Sequence, residues 1–167
     1  HVDHEGASVA GVLIERSGLA PAEWLRRSLR AYYTPLLHSL YAYDLAFMPH
    51  GENTSLVLRD GVVQRAVYKD IAEEIVVMDP DAVLPPEVAR IRADIPEDQK
   101  LLSIFTDVFD CFFRFLAANL AAEGVLTEDA FWGTVAEISR EYQEANPELA
   151  DRFARYDLFA PEFALSC

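Results

Sequence analysis

Cysteine and positive charge are both scarce in this chain of 167 residues. Its two cysteines, Cys111 and Cys167, lack the C-x-x-C spacing of structural zinc sites and iron–sulfur clusters, and they are too few for a disulfide framework. Fourteen Lys and Arg stand against 28 Asp and Glu, which gives a formal net charge of −14. Because nucleic acids and anionic membranes do not attract an acidic surface, we expect neither as a partner.

An uninterrupted apolar run of membrane-spanning length is also missing. The most apolar stretch, residues 101–122, includes Asp107, Asp110 and Arg114, and a membrane span would not carry three charges near its centre. The first residues are polar and acidic, unlike a signal peptide. With so little cysteine, the sequence fits the reducing cytoplasm.

Apolar residues are nevertheless abundant enough to fill a core, since 51% of the chain is hydrophobic. The length and this composition predict one domain over residues 1–167. Amphipathic patterns predict helices over residues 8–16, 21–46 and 100–123, then one from Thr127 and a short last helix ending at Tyr156. The predicted fold class is α+β, a helix-rich domain with one β-hairpin packed among the helices.

The hairpin is predicted from two β-prone runs, residues 54–59 and 62–69, joined by an Asp-Gly pair at 60–61. With that pair as the loop, paired positions sum to 121 and side chains alternate between the two faces. One face should pack on the helices, and it also carries Arg65 and Lys69, which then need partners or a path to water. The apolar residues on this face are Leu56, Leu58, Val63 and Val67.

The residues that suggest chemistry lie at the mouth of this hairpin. In the predicted register Asn53 faces Tyr68, and Asp70 is its diagonal neighbour on the same face, with Cα atoms roughly 7–8 Å apart. An amide oxygen and a carboxylate at that separation can share one Mg²⁺ ion, which keeps positions for water and substrate phosphates. His50 can bind a carboxylate or move a proton, and Glu52 adds an acid beside it.

The same residues also fit purely structural roles. Asn53 can cap a turn, Asp70 can cap a helix, and His50 can be an ordinary loop histidine. Glu73 and Glu74 either extend the cation site or lie in a solvated acidic turn. Spacing alone leaves these alternatives open.

A polar stripe crosses the otherwise apolar helix predicted at 100–123. It consists of Ser103, Asp107, Asp110 and Arg114. Such a stripe is typical of a solvated or salt-bridged face, and the alternative is that it borders a functional cleft.

The segment from Phe47 to Asp70 carries a family resemblance. It reads FMPHGENTSLVLRDGVVQRAVYKD and resembles the signature of the aerobactin-type IucA/IucC siderophore synthetases, which work independently of nonribosomal peptide synthetases. That signature is roughly His-Gly-Gln-Asn, a hairpin with Asp-Gly, and then Arg-Asp or Lys-Asp. Two further runs look like the family's carboxy-terminal part, WLRRSLRAYYTPLLHSLYAYDL before the segment and DLFAPEFALSC at the end of the chain.

The resemblance implies an activity and roles for individual residues. Members use ATP to activate a carboxylate, usually of citrate or a related acid, as an acyl-adenylate, which an amine, polyamine or amino alcohol then attacks. His50 would match the histidine that holds the carboxylate substrate, and Asn53 and Asp70 would match the groups at Mg²⁺ and the ATP phosphates. Glu52 falls where many members have Gln near the nucleotide, and Lys69 falls where Arg or Lys occurs.

The resemblance also implies that more protein surrounds this chain. The family fold resembles a hand, and the chain looks like its palm, a carboxy-terminal fragment of a synthetase several times longer. The missing amino-terminal half would supply much of the grip on ATP and the acid, so we expect the fragment to fold without turning over alone. The family is often dimeric, which leaves a homodimer open.

Two other functions stay open. A small-molecule phosphotransferase lobe would also hold Mg²⁺ with an Asn after a catalytic loop and an Asp after the next hairpin, but its usual catalytic Asp is absent from residues 50–53. A non-catalytic iron-handling or interaction module is the second alternative. Ferric reductase chemistry would need a cysteine cluster near the carboxy terminus, where the sequence has Cys167 alone.

Overall fold

A long central helix, α2 (Pro21–Tyr43), organises the computed structural model, which describes residues 6–71 and 73–161. Pro21 suits the first helical position because its missing amide hydrogen would have no partner there. The helix continues through Pro35 and ends at Tyr43, three residues earlier than predicted, because residues 45–47 form a strand. Its buried side chains are Trp24, Leu25, Leu29, Tyr32, Tyr33, Leu36, Leu37, Leu40 and Tyr41.

Four further α-helices and a π-helix surround α2 in the described part of the chain. Their bounds are α1 (Val9–Ser17), the π-helix (Ser103–Phe113), α3 (Arg114–Ala122), α4 (Glu128–Ala145) and α5 (Ala150–Arg155). Short 3₁₀ turns span Ala89–Ile91, Glu97–Gln99 and Pro147–Leu149. The helix predicted over 100–123 is therefore two helices in series, a π-helix that runs directly into α3.

Local signals in the sequence set several of these helix ends. The Ser8 hydroxyl accepts the Gly11 amide at 3.0 Å and begins α1, and the Thr127 hydroxyl accepts the Ala130 amide at 3.2 Å and begins α4. Gly124 has a positive φ of 67° just after α3, as a helix-ending glycine does.

The strands form two separate antiparallel pairs. The predicted hairpin is present as β2 (Thr54–Arg59) and β3 (Val62–Tyr68), which confirms the Asp-Gly signal. The second pair, β1 (Leu45–Phe47) with β4 (Ile75–Val77), was not predicted from the sequence. It brackets the hairpin, so both ends of the hairpin are tied to one short ladder. The fold class is α+β, as the sequence predicts.

The predicted register of the hairpin is wrong beyond its loop. Leu58 pairs with Val63 as expected, but Val57 pairs with Arg65, so a β-bulge leaves Gln64 as an extra residue in β3. From there paired positions sum to 122, and Thr54 faces Tyr68 where Asn53 was expected.

The bulge also changes which side chains pack on the helices. Val62 and Val63 are both buried, whereas Leu56, Leu58 and Val67, which were expected to pack, are 39%, 43% and 46% exposed. Because one residue is inserted, the residues after Gln64 exchange faces. Residues 65, 67 and 69 therefore turn away from the helices, and Ala66 and Tyr68 contact the core in their place.

A buried charge cluster joins the end of α2 to later elements. Asp44 and Lys100 are 5% and 8% exposed, with Lys100 Nζ 3.6 Å from Asp44 Oδ1 and Arg152 Nη1 2.6 Å from Asp44 Oδ2. Lys100 Nζ also lies 5.4 Å from the centre of the Tyr156 ring. No helix in the described residues has the length and apolarity needed to cross a membrane.

We predict that Gly61→Ala destabilises the protein more than Gly124→Ala. Both glycines have positive φ, 81° and 67°, so both substitutions strain the backbone by about 1 kcal/mol. At Gly61 an added Cβ would also lie 2.6 Å from the Leu13 carbonyl oxygen, whereas the space around Gly124 is open. We expect losses in unfolding free energy of roughly 2–4 kcal/mol for G61A, measured by urea denaturation. Equal losses of unfolding free energy in the two variants would contradict a close contact between α1 and the hairpin loop.

Candidate active site

The loop between β1 and β2, residues 48–53, is fixed to helix α2 through one carbonyl group. The Tyr32 hydroxyl donates to the Pro49 carbonyl at 2.9 Å, and the Thr54 hydroxyl donates to the same oxygen at 3.1 Å. Tyr32 is 4% exposed and Pro49 is buried. Pro49 is therefore held in a fixed, buried position, and this fixes the position of the next residue, His50.

His50 and Asn53 are in direct contact. The Asn53 amide N–H donates to the His50 carbonyl at 3.0 Å, which closes a turn, and Asn53 Nδ2 lies 3.1 Å from His50 Nε2. Asn53 Nδ2 also points to the Met48 carbonyl at 3.5 Å, which can only accept. Nδ2 is thus the donor to His50 Nε2, so the neutral imidazole carries its proton on Nδ1.

Glu74 joins His50 because the β1–β4 ladder continues by one residue. The Met48 amide donates to the Glu74 carbonyl at 3.0 Å, and this brings Glu74 Oε2 to 3.8 Å from His50 Nε2. Both side chains are partly exposed, at 37% and 29%. Glu74 therefore places a carboxylate next to the His50 ring.

Asp107 completes the group from the middle of the π-helix. It is half-buried, and burial raises the pKa of its carboxyl; His50 opposes this shift and Glu74 adds to it. The same carboxylate contributes to raising the pKa of Tyr32, after burial and Tyr68. We call His50, Asn53, Glu74 and Asp107 the His50 cluster.

The remaining predicted site residues lie outside this cluster. Glu52 is exposed at the tip of the loop. Lys69 Nζ and Asp70 Oδ2 form a pair at 3.0 Å, with side chains 51% and 58% exposed. Asp70 has a φ of 57°, and its carbonyl accepts the amides of Glu73 and Glu74 in the turn toward β4.

The argument that placed Asn53 and Asp70 on one face of the hairpin is wrong, because the bulge shifts the register. The Lys69 amide donates to the Asn53 carbonyl at 2.9 Å, so Asn53 lies opposite Lys69, and its side chain is buried. Within residues 6–71 and 73–161, no three His, Cys, Asp or Glu side chains come together as a metal-binding group. A cation at Asn53 and Asp70 would therefore need ligands from another source, such as phosphate oxygens.

The polar stripe predicted on the helix over 100–123 is solvated in one part and borders the candidate site in another. Asp110 and Arg114 form an exposed ion pair at 2.9 Å, as a solvated face would, while Asp107 is half-buried and interacts electrostatically with His50. Glu74 was recognised only as an alternative and Glu73 is exposed. The signal that could have placed Glu74 is the pair of short apolar runs 45–47 and 75–77 on either side of the hairpin.

A family model identifies the family of this chain. A family model described as "Ferric iron reductase FhuF-like transporter" matches residues 22–167. The chain belongs to this FhuF-like family. The match includes α2, the hairpin and the whole His50 cluster.

Curated relatives of this FhuF-like chain are siderophore synthases, which confirms that part of the resemblance. It is 46% identical over 167 residues to putrebactin synthase from Shewanella sp. (strain MR-4), covering 100% of the chain and 27% of that synthase. It is 32% identical to the aerobactin synthase of Escherichia coli, covering 96% of the chain and 28% of that enzyme. The chain thus spans less than a third of the relatives it matches.

Solved structures agree on the fold. Aerobactin synthetase IucC from a hypervirulent pathotype of Klebsiella pneumoniae matches 99% of the chain with a TM-score of 0.91 and 30% identity, using 31% of that structure. Petrobactin biosynthesis protein AsbB from Bacillus anthracis matches 96% of the chain with a TM-score of 0.81 and 20% identity, using 29% of that structure, which shows a common fold. The FhuF-like chain therefore has the architecture of a siderophore-synthetase domain.

We predict that Asp107→Asn stabilises the protein at neutral pH and has little effect in acid. Below the ordinary carboxyl pKa of 3.8, Asp107 is protonated in both the native and unfolded states, so its replacement changes little. As pH rises, the unfolded chain ionises first while native Asp107 still holds its proton, so the wild type loses stability relative to D107N until the raised pKa is passed. Urea midpoints at several pH values measure this.

Asp110→Asn is the matched control for that experiment. Asp110 lies on the same π-helix, is exposed and pairs with Arg114, so we expect its urea midpoints to follow the wild type across the pH range. Wild type and D107N with parallel pH profiles would contradict a raised pKa at Asp107.

Proposed function

We propose that this chain is part of an ATP- and Mg²⁺-dependent ligase that adenylates a carboxylate, citrate or a related acid, and condenses it with an amine or hydroxyl in siderophore biosynthesis. The observation that carries the proposal is the His50–Asn53 contact in a chain that is 46% identical to putrebactin synthase. A loop histidine without a function would not need the buried Asn53 side chain at hydrogen-bond distance from its ring nitrogen.

His50 is proposed as the residue that binds the acid. Its imidazole carries a proton on Nδ1 that can donate to a carboxylate, and it lies on a loop anchored through the buried Pro49 carbonyl, so it can hold an acid in a fixed position. Glu52 and Lys69, both exposed, are proposed to line the nucleotide side of the site.

Asn53 and Asp70 are proposed to hold Mg²⁺ together with the phosphates of ATP. Amide and carboxylate oxygens are the ligands Mg²⁺ prefers, and it is usually bound through few protein groups plus substrate phosphates. The backbones at 53 and 69 are hydrogen-bonded, which keeps Asp70 within one residue of the strand position opposite Asn53. When bound, the ion would neutralise charge on the phosphates.

The proposed reaction has two steps. A carboxylate oxygen attacks the α-phosphorus of ATP, and pyrophosphate leaves with the electron pair of the broken P–O bond. The nitrogen of the amine then attacks the acyl carbon, AMP leaves with the electron pair of the C–O bond, and the nitrogen loses a proton to a nearby base. His50 is the proposed base, because a neutral imidazole has a ring nitrogen that can accept a proton.

The remaining parts of the ligase are proposed to come from outside this chain. The chain spans about 27–28% of the synthases it resembles, and its net charge of −14 repels a polyphosphate. The partly exposed Leu56, Leu58 and Val67 offer an apolar hairpin surface that a longer enzyme could cover. We therefore propose that this part of the protein alone does not catalyse the ligation.

The family description also names a ferric iron reductase. Relatives at 46%, 34% and 32% identity carry names of siderophore synthesis, and among the described residues Cys111 is a single exposed cysteine. Cys167, the residue of interest for reductase chemistry, lies outside the described residues. The names of these relatives support ligation over reduction.

We predict that a full-length enzyme carrying this chain forms citryl hydroxamate and AMP when it is incubated with ATP, Mg²⁺, citrate and hydroxylamine. Hydroxylamine traps an acyl-adenylate, whereas a phosphotransferase would release ADP. His50→Ala should lower the rate of hydroxamate formation at least about a hundredfold. The 167-residue chain alone should form none. ADP as the nucleotide product would reject the ligase in favour of phosphoryl transfer.

His38→Ala is the matched control for His50→Ala. His38 lies on α2 and its Nδ1 is 3.0 Å from the Tyr142 hydroxyl, away from the His50 cluster. We expect this variant to keep the hydroxamate rate within about twofold of the wild type, since a surface histidine contributes little to stability. Equal loss in both variants would remove the special role of His50.

A further inference from the structure

A groove of about 310 Å³ opens beside the His50 cluster, between the β1–β4 pair and the π-helix. Its walls are largely apolar and include Met48, Met78 and Ile95. Asp107 lines it on the side of His50, and Lys100 lines it where the π-helix begins. A molecule lying in the groove would therefore bring one end to the cluster.

The two charged residues that line the groove differ in how they are neutralised. Lys100 lies 3.6 Å from the Asp44 carboxylate, which also pairs with Arg152, and it packs over the Tyr156 ring, so Lys100 already has partners inside the fold. Asp107 has no Lys or Arg within ion-pair distance among the residues that the structure describes. The carboxylate beside His50 is thus the unbalanced charge of the groove.

The neighbours of Asp107 favour a cation as its partner. Glu74 adds a second carboxylate next to the same imidazole, so the two acids together favour a cation over a further anion at Asp107. The methionine and isoleucine side chains suit methylene groups, and the neutral oxygens of Gln99, Ser103 and Thr106, which also line the groove, suit an ammonium donor better than Mg²⁺. An ammonium group on an aliphatic chain satisfies both the acid and the walls.

We propose that this groove binds the aliphatic primary amine that the enzyme condenses, with its ammonium group on Asp107 beside His50 and its carbon chain against Met48, Met78 and Ile95. The inference rests on the proposed ligase function and adds the position of the second substrate. It places the amine at the π-helix, where the ammonium group passes one proton to the Asp107 carboxylate before its nitrogen attacks the acyl carbon.

The first test is amine binding to this chain, without nucleotide. The probe is 5-aminopentan-1-ol, and pentane-1,5-diol is the matched compound in which a hydroxyl replaces the ammonium group. Titration followed by NMR or calorimetry should show saturable binding of the amine and at least about tenfold weaker binding of the diol, as expected when an ion pair is lost. Equal binding of amine and diol would overturn the role of Asp107.

Variants of two carboxylates on the same π-helix make the test specific. Asp107→Asn should weaken amine binding at least about tenfold, and Asp110→Asn should leave it within twofold, because Asp110 is exposed and paired with Arg114. Retained binding in D107N, or saturable binding of Mg²⁺ alone that D107N abolishes, would overturn the proposal.

Kinetics of a full-length enzyme separate this inference from the proposed function. In D107N the KM for the amine should rise at least about tenfold, while the KM for ATP stays within twofold and D110N changes neither. If the wild type forms hydroxamate but D107N leaves the KM for the amine unchanged, the groove proposal fails and the ligase stands. If no hydroxamate forms, the ligase fails, and the binding test still decides whether the groove takes an ammonium group.

Discussion

The buried hydrogen bond from the Tyr32 hydroxyl to the Pro49 carbonyl is the constraint on which the site depends. Pro49 offers an acceptor without donating, and Tyr32 is held in turn because the Tyr68 hydroxyl donates to its carbonyl. Helix, loop and hairpin are therefore joined at one residue of α2. His50 follows Pro49 directly. Its position is therefore fixed by the contact between Pro49 and the buried helix α2.

Local signals were enough to predict most elements but not their register. The Asp-Gly pair, the Ser8 and Thr127 hydroxyls and Gly124 each act over a few residues. The hairpin predicted from Asp-Gly and the helix predicted from Thr127 are both present. The bulge at Gln64 depends on burying Val62 and Val63 together against the helices, which strict alternation does not permit. That requirement comes from tertiary packing, so no local sequence pattern predicts the bulge.

Contacts between distant segments explain why half of the His50 cluster was not predicted. His50 and Asn53 lie in one turn, within reach of spacing arguments. Glu74 is positioned by the pairing of β1 with β4, and these three-residue strands are too short to show an apolar pattern in the sequence. Asp107 depends on the π-helix, whose wider turn changes which side chains share a face, and π-helical turns are frequent at functional sites.

The energetics of Asp107 connect the fold to the proposed chemistry. A half-buried carboxylate beside a second carboxylate opposes folding at neutral pH, and an apolar helix face would hold a neutral residue more easily. Asp110, three residues later, shows that the same helix accommodates a charge at little expense when solvent and Arg114 are near. An electrostatic cost of this kind is characteristic of sites where a ligand supplies the opposite charge. His50 opposes part of the pKa shift that burial and Glu74 cause at Asp107, and in the proposal the ammonium group of the amine would reduce the remaining electrostatic cost.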